Sequence, residues 1–123
     1  MAYREIELAA SAARTTSGTG DAFPGFGEAD KLAAQLSVAS RSGTNPTLDV
    51  VIQHSIDGGT TWFDLITFTQ ATAAGNELKA YADVQASSAQ VIGDRLRAKW
   101  TIGGTGTPTF TFSVKVLSEE DGN

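Results

Sequence analysis

The chain has no cysteine. Disulfides, thiolate metal sites and a thiol nucleophile are therefore excluded, and synthesis in a reducing cytoplasm is compatible with the composition. It has one histidine, His54, so no pair of imidazoles can ligate a metal or relay a proton. No apolar run approaches the ~18 residues of a membrane span. The opening MAYREIELAA carries charges and then only a short apolar stretch. That falls short of the ~7–15 apolar residues at the heart of a secretory signal, and none is expected. Cations are in the minority, with 9 Lys and Arg against 14 Asp and Glu and a net charge of -5. Such a chain is poorly suited to neutralise phosphates, so neither nucleic acid nor an anionic membrane is an expected partner. No repeat of ~20–50 residues is visible, so a propeller or solenoid is not expected.

What is present is a β composition. The 123 residues suit one domain, spanning 1–123, able to bury roughly two-thirds of its unfolded surface without staples. Thirteen glycines and abundant Ser and Thr favour strands and turns over long helices. The most specific stretch is Leu48 to Phe68, two strands around the turn SIDGGTTW. Its Ser55, Asp57, Gly59, Thr61 and Trp62 fill every fixed position of S-x-D-x-G-x-T-W. The Asp carboxylate can take up turn amides, Gly59 permits positive φ, and Trp62 packs back over the hairpin. The motif resembles the Asp boxes of sialidases and related propellers. Those carry several copies, whereas one copy here implies a structural hairpin without glycosidase activity.

Period-two alternation recurs along the chain. Ile6 and Leu8 oppose Glu5 and Glu7 in a first strand, Tyr3 to Ala9. Thr15 to Glu28 is a glycine-rich loop holding Phe23 and Phe26, which either cap the core or dock on a neighbour. With the first strand it makes residues 1–29 a possible N-terminal arm. Asp30 to Ser40 has partly helical spacing but is assigned to a strand, followed by a turn at Arg41–Pro46. Leu48, Val50, Ile52 and His54 share one face of the next strand. Thr61 to Thr69 alternates imperfectly, and a bulge near Asp64 reconciles it. Glu77 to Val84 places Leu78, Ala80, Ala82 and Val84 on the inner face. In Arg95 to Ile102, Leu96, Ala98, Trp100 and Ile102 face in, and Arg95, Arg97 and Lys99 form an outward cationic row. GGTGTP, Gly103 to Pro108, reads as a hairpin turn before Phe110, Phe112, Val114 and Val116. Residues 118–123 read as a flexible acidic tail. Together these predict an all-β fold, a single antiparallel β-sandwich or jelly-roll-like domain of about seven to eight strands.

No catalytic set emerges. Asp49, Asp57, Asp64 and Asp83 are scattered without the pairing that glycoside hydrolysis needs. Asp21, Glu28 and Asp30 could in principle offer oxygens to Ca²⁺, but no EF-hand-like loop is present. The glycine runs lack the Lys and helix of a phosphate loop. His54 reads as a partly buried structural residue. No enzyme activity, cofactor or metal is expected.

From Pro46 onward, PTLDVVIQHSIDGGTTWFDLITFTQAT is followed by RLRAKWTIGGTGTPTFTFSVKVL. This order resembles the small β-sandwich virion proteins of tailed bacteriophages, in which one such hairpin precedes another. The resemblance covers more than half of the chain. It implies a non-enzymatic capsid decoration (cement) protein on the capsid exterior, made in the host cytoplasm. The implied partner is the major capsid protein; symmetry at local three-fold axes would favour self-association as a homotrimer. A head–tail or tail component is the second choice. Candidate partner-binding residues are Phe23, Phe26, Arg95, Arg97 and Lys99. A rival of another class is a carbohydrate-binding module with an aromatic platform drawn from Trp62, Trp100, Tyr3 and Tyr81; Trp100 lies on an inward face and Trp62 belongs to the hairpin, which leaves Tyr81.

Overall fold

Two stretches of alternating apolar residues, each punctuated by a Gly/Thr/Pro segment, form two very long strands. In the computed structural model, which describes residues 2–27, 29–80 and 92–120, these are β3 (Ala29–Ser55) and β6 (Arg95–Glu120). Around them lie β1 (Ala2–Arg14), β2 (Gly18–Thr19), β4 (Phe63–Thr67) and β5 (Gly75–Ala80). Every pairing is antiparallel. The sheet runs β1-β6-β3-β4, with β2 added on β6 and β5 added on β3. No described residue is helical. The fold is all-β, with six strands among the described residues.

The turns expected at Arg41–Pro46 and Gly103–Pro108 are corrected by this pairing. Both segments bend, but neither reverses the chain. Ser42 pairs with Thr109, Thr44 with Thr105 and Thr47 with Gly103, so the β3–β6 ribbon continues through the corner. The two halves of β6 pair with β3 rather than with each other, so RLRAKWTIGGTGTPTFTFSVKVL is not a hairpin. The bend is made by positive φ at Gly43 (109°), Asn45 (48°), Gly104 (117°), Gly106 (68°) and Thr107 (54°). A Cβ on Gly43 would stand 2.7 Å from Pro108 Cα, so the two backbones approach too closely for a side chain there. Residues that allow a reverse turn also allow a paired bend, and only the distant partner strand decides between them.

The corner divides the ribbon into two halves. Residues 29–42 and 109–120 carry β1 and β5; residues 47–55 and 95–103 carry β2 and β4. The even-numbered positions of both halves bury themselves in one cluster. Leu32, Leu36, Phe110, Phe112 and Val114 come from the first half, and Leu48, Val50, Ile52, Leu96 and Trp100 from the second. Trp100 meets Phe112 edge-on across the cluster, with ring centroids 5.6 Å apart. The inward parity expected for Arg95–Ile102 and Phe110–Val116 holds.

Several boundaries move. β1 runs to Arg14, with register shifts between Glu7 and Ala9 and between Ala9 and Ala12 that absorb the loss of alternation. Residues 2–14 are thus a sheet strand, not an arm. Ser118 pairs with Arg4 and Leu32, so the strand persists to Glu120 and takes in the start of the expected tail. The bulge expected near Asp64 is present: Ile52 pairs with Ile66 and Gln53 with Asp64, leaving Leu65 as the extra residue. Leu78 does not face in. It is 71% exposed, while Glu77 turns back and accepts from the Thr69 amide and hydroxyl, both at 2.9 Å. Ala82 and Val84 of that strand lie outside the described residues.

Candidate functional site: the Ser55–Trp62 turn and the arginine face

Where β3 ends, Ser55 is fully buried, and its hydroxyl organises the turn. It donates to Asp57 Oδ1 (2.7 Å) and accepts the Gly59 amide (2.9 Å). Asp57 Oδ1 also accepts the amides of Thr61 (2.8 Å) and Thr60 (3.1 Å). These donors, the Thr61 amide first and the Ser55 hydroxyl next, hold the Asp57 carboxyl down at about 2. Gly58 and Gly59 take φ of 77° and 98°, which the tight reversal requires. The Trp62 indole N–H donates to the Gly59 carbonyl at 3.1 Å and folds the ring over the turn. All five expected hairpin residues therefore act in one network, and Asp57 is occupied by backbone amides.

The turn is fixed from behind as well. A Cβ on Gly93 would come within 2.4 Å of the Ser55 carbonyl oxygen, so only glycine fits there without a backbone shift. The Gly93 amide donates to His54 Nδ1 at 2.9 Å. That bond needs an unprotonated Nδ1, and burial lowers the His54 pKa in the same direction.

On the outer side, β6 presents Arg95, Arg97 and Lys99 between buried Leu96 and Ala98. Arg97 Nε donates to Gln53 Oε1 (2.9 Å), and its guanidinium lies 4.3 Å over the Trp62 ring. Gln53 Nε2 donates in turn to Asp64 Oδ1 (3.0 Å). Gln53, 6% exposed, is thus the hub of a cross-strand chain Asp64–Gln53–Arg97–Trp62. Sequence reading missed it because a lone Gln on a strand carries no signal. It becomes visible only when the register sets it opposite both Asp64 and Arg97. Arg95 is half-buried, and its Cδ lies 3.6 Å from where a Gly59 Cβ would stand. Its Nε is sealed from solvent without a hydrogen-bond partner. Lys99 is exposed, in register with Val51 and Thr19. None of these three cations forms a salt bridge among the described residues; Lys31–Glu119 and Lys79–Glu77 lie elsewhere.

Phe23 and Phe26 are placed on the core instead of at a partner surface. Phe26 is fully buried, and half-buried Phe23 packs on the same cluster. The backbone of Phe23 exchanges two bonds with Leu96 (2.9 and 3.0 Å), and the Phe26 amide donates to Asp94 O. Arg4 clamps the loop, donating to the Gly25 and Pro24 carbonyls (2.8 and 2.7 Å) with its guanidinium 4.4 Å over Phe26. Phe26 therefore offers no free face to a partner, because it is buried in the chain's own core.

The remaining candidates do not converge. Asp49 accepts from Gln70 Nε2 (3.0 and 3.2 Å), Asp64 from Gln53, and Asp83 lies outside the described residues. Asp21 is exposed, and Glu28 also lies outside. Among the described residues no group of three or more His, Asp or Glu could hold a metal. Trp100 is buried and Trp62 lies under Arg97; Tyr81 lies outside the described residues.

No family model and no curated protein matches the sequence. Several solved structures align with this chain. The SPBc2 prophage-derived protein YomS aligns over 96% of this chain and 95% of its own, at 11% identity and TM-score 0.48. The VP2 subviral particle of infectious bursal disease virus aligns over 99% of this chain, at 12% identity and TM-score 0.52. This chain spans 33% of that VP2 chain. A Clostridium thermocellum xylanase 10B fragment with CBM22-1 and GH10 modules aligns over 79% of this chain and 18% of its own, at 10% identity and TM-score 0.45.

Proposed function

We propose that this chain is a non-enzymatic structural protein of a tailed-phage virion, a capsid decoration protein that binds the major capsid protein lattice from outside. In this reading the bent ribbon is a two-layered β-sandwich of jelly-roll type. The observation that carries the proposal is the fold likeness to VP2, a particle-forming viral protein, across 99% of the chain. The virion-type order of phrases from Pro46 to Leu117 supports it as a likeness of sequence alone, since the second phrase is one bent strand and not a hairpin. So does the site chemistry: the turn's one well-placed carboxylate, Asp57, is occupied by backbone amides. A rigid module repeated over a lattice gains strength from many weak contacts, and a homotrimer would match local three-fold axes.

Quantitative mass spectrometry of purified particles from the encoding phage tests the proposal. The expected result is a copy number in simple ratio to the major capsid protein. Absence from particles would overturn it, and a handful of copies per particle would move the protein to the head–tail junction or tail.

A further inference from the structure

We propose that Arg95 and Arg97, mounted on the Ser55–Trp62 turn, form a preorganised receptor for carboxylate side chains on an acidic segment of a protein partner. The identity of that partner as the capsid lattice protein rests on the function proposed above; the receptor itself does not.

Three observations carry it. First, Arg97 is held in place. Its Nε is bonded to Gln53, its guanidinium carbon lies 4.3 Å over the Trp62 ring, and Asp64 fixes the Gln53 amide in the orientation that turns Oε1 toward Arg97. The nearest-register carboxylate is thereby engaged by Gln53 and forms no salt bridge with Arg97. The outward guanidinium nitrogens remain available for a bidentate carboxylate. Second, Arg95 stands two residues away on the same strand face, with its stem against the glycine turn. Its Nε is buried without a partner. A half-desolvated cation with one unmet donor is costly to hold, and an anion on its exposed side offsets that cost. Third, this chain carries a net charge of -5, yet no described carboxylate pairs with either arginine.

Preorganised arginine beside an aromatic ring is the kind of anchor that dominates protein interfaces, because little side-chain freedom remains to be lost on binding. Two neighbouring arginines on a molecule of net charge -5 suit discrete carboxylates better than a polyphosphate track, which would meet repulsion from the net negative charge. The turn then acquires a role beyond folding: the Asp57 network places Trp62, and Trp62 places Arg97.

The test measures binding of the purified full-length protein to shells assembled from the major capsid protein alone. It also measures binding to poly-L-glutamate, double-stranded DNA and vesicles containing anionic lipid. Wild type is expected to bind shells and poly-L-glutamate, more weakly as salt rises. R95E/R97E should lose at least about a hundredfold in affinity, and R97K about tenfold because it keeps charge but loses the planar fork. K115E, which reverses an exposed lysine on the other half of β6, should lose far less. Circular dichroism melts on each variant establish that the fold persists, and R97K serves if R95E/R97E does not fold. If R95E/R97E, or R97K in its place, binds shells as wild type does, the receptor is overturned while the virion role stands. If wild type ignores shells but binds poly-L-glutamate through these arginines, the virion role falls and the receptor stands. A preference for DNA or vesicles, or no binding to any probe, overturns the receptor.

Discussion

At the scale of single residues, two titrating groups fix one turn, Asp57 from within it and His54 from the strand that enters it. Asp57 is depressed to about 2 chiefly by the Thr61 amide. Its folded value lies below the unfolded one, so its contribution is complete above about pH 4 and disappears as pH falls through about 2. Urea unfolding of wild type and D57N should therefore differ clearly at pH 6 and converge by pH 2. A gap that is constant across that range would show that the carboxylate charge does not stabilise the turn. His54 is also depressed, by burial. An imidazole that resists protonation when folded stabilises above its unfolded value of about 6.5, and that contribution declines as pH falls through the folded value. H54Q should flatten the slope of stability between about pH 7 and pH 5. An unchanged slope would mean that His54 takes up its proton equally in the folded and unfolded states, so that the Gly93–His54 bond does not oppose protonation.

At the scale of elements, the corner of the β3–β6 ribbon is the decisive structure. Gly104 has φ of 117°, and a Cβ there would lie 2.9 Å from Asn45 O and Pro46 Cα. G104A should cost roughly 1–3 kcal/mol, from backbone strain and crowding together. Thr107 sits at φ 54° although β-branched, a conformation that costs about 1–2 kcal/mol relative to glycine. T107G should therefore be neutral or stabilising by up to about 1 kcal/mol, after the added entropy of the unfolded glycine. Thermal melts of the two variants moving in the same downward direction would argue against a corner built on positive φ. Much of this level was legible beforehand. The bulge opposite Gln53 followed from the broken alternation around Asp64, because one extra residue inverts every later side chain. The corner was not legible as a corner. Thr-Asn-Pro and Gly-Gly-Thr-Gly-Thr-Pro are reverse-turn vocabulary, and nothing local distinguishes a strand that turns back from two strands that bend together.

At the scale of the whole molecule, several sheet margins are short, kinked or charged. β2 has two residues, β4 has five and is bulged at Leu65, and β1 presents exposed Glu5 and Glu7. Short, kinked or charged edges discourage strand-to-strand pairing between copies. Within the proposed function, particles lacking this protein should open at lower temperature than decorated ones, and adding the purified protein back should restore the difference. Calorimetry of both particle types checks this, and identical transitions would count against a cement role. Arg14 serves the same scale from inside. It lies 4.8 Å over Trp100 and 4.4 Å over Phe112 while donating to the Phe112 and Ala10 carbonyls. It closes the cluster where the two halves of the ribbon meet.

The sequence by itself determined what depends on near neighbours. The alternation set the parity of β3 and β6, and eight residues from Ser55 to Trp62 specified a turn whose hydrogen bonds span no more than four positions. Tertiary structure alone decided what depends on distant partners. It carried the ribbon through its corner, turned Leu78 outward, and drew Phe26 under Arg4. It also made Gln53 the link between Asp64, 11 positions away, and Arg97, 44 positions away. Alternation states that a strand has two faces; only the layer packed against it states which face is dry. The turn reads as folding chemistry when taken locally, and the arginine face it supports exists only because β6 lies beside it.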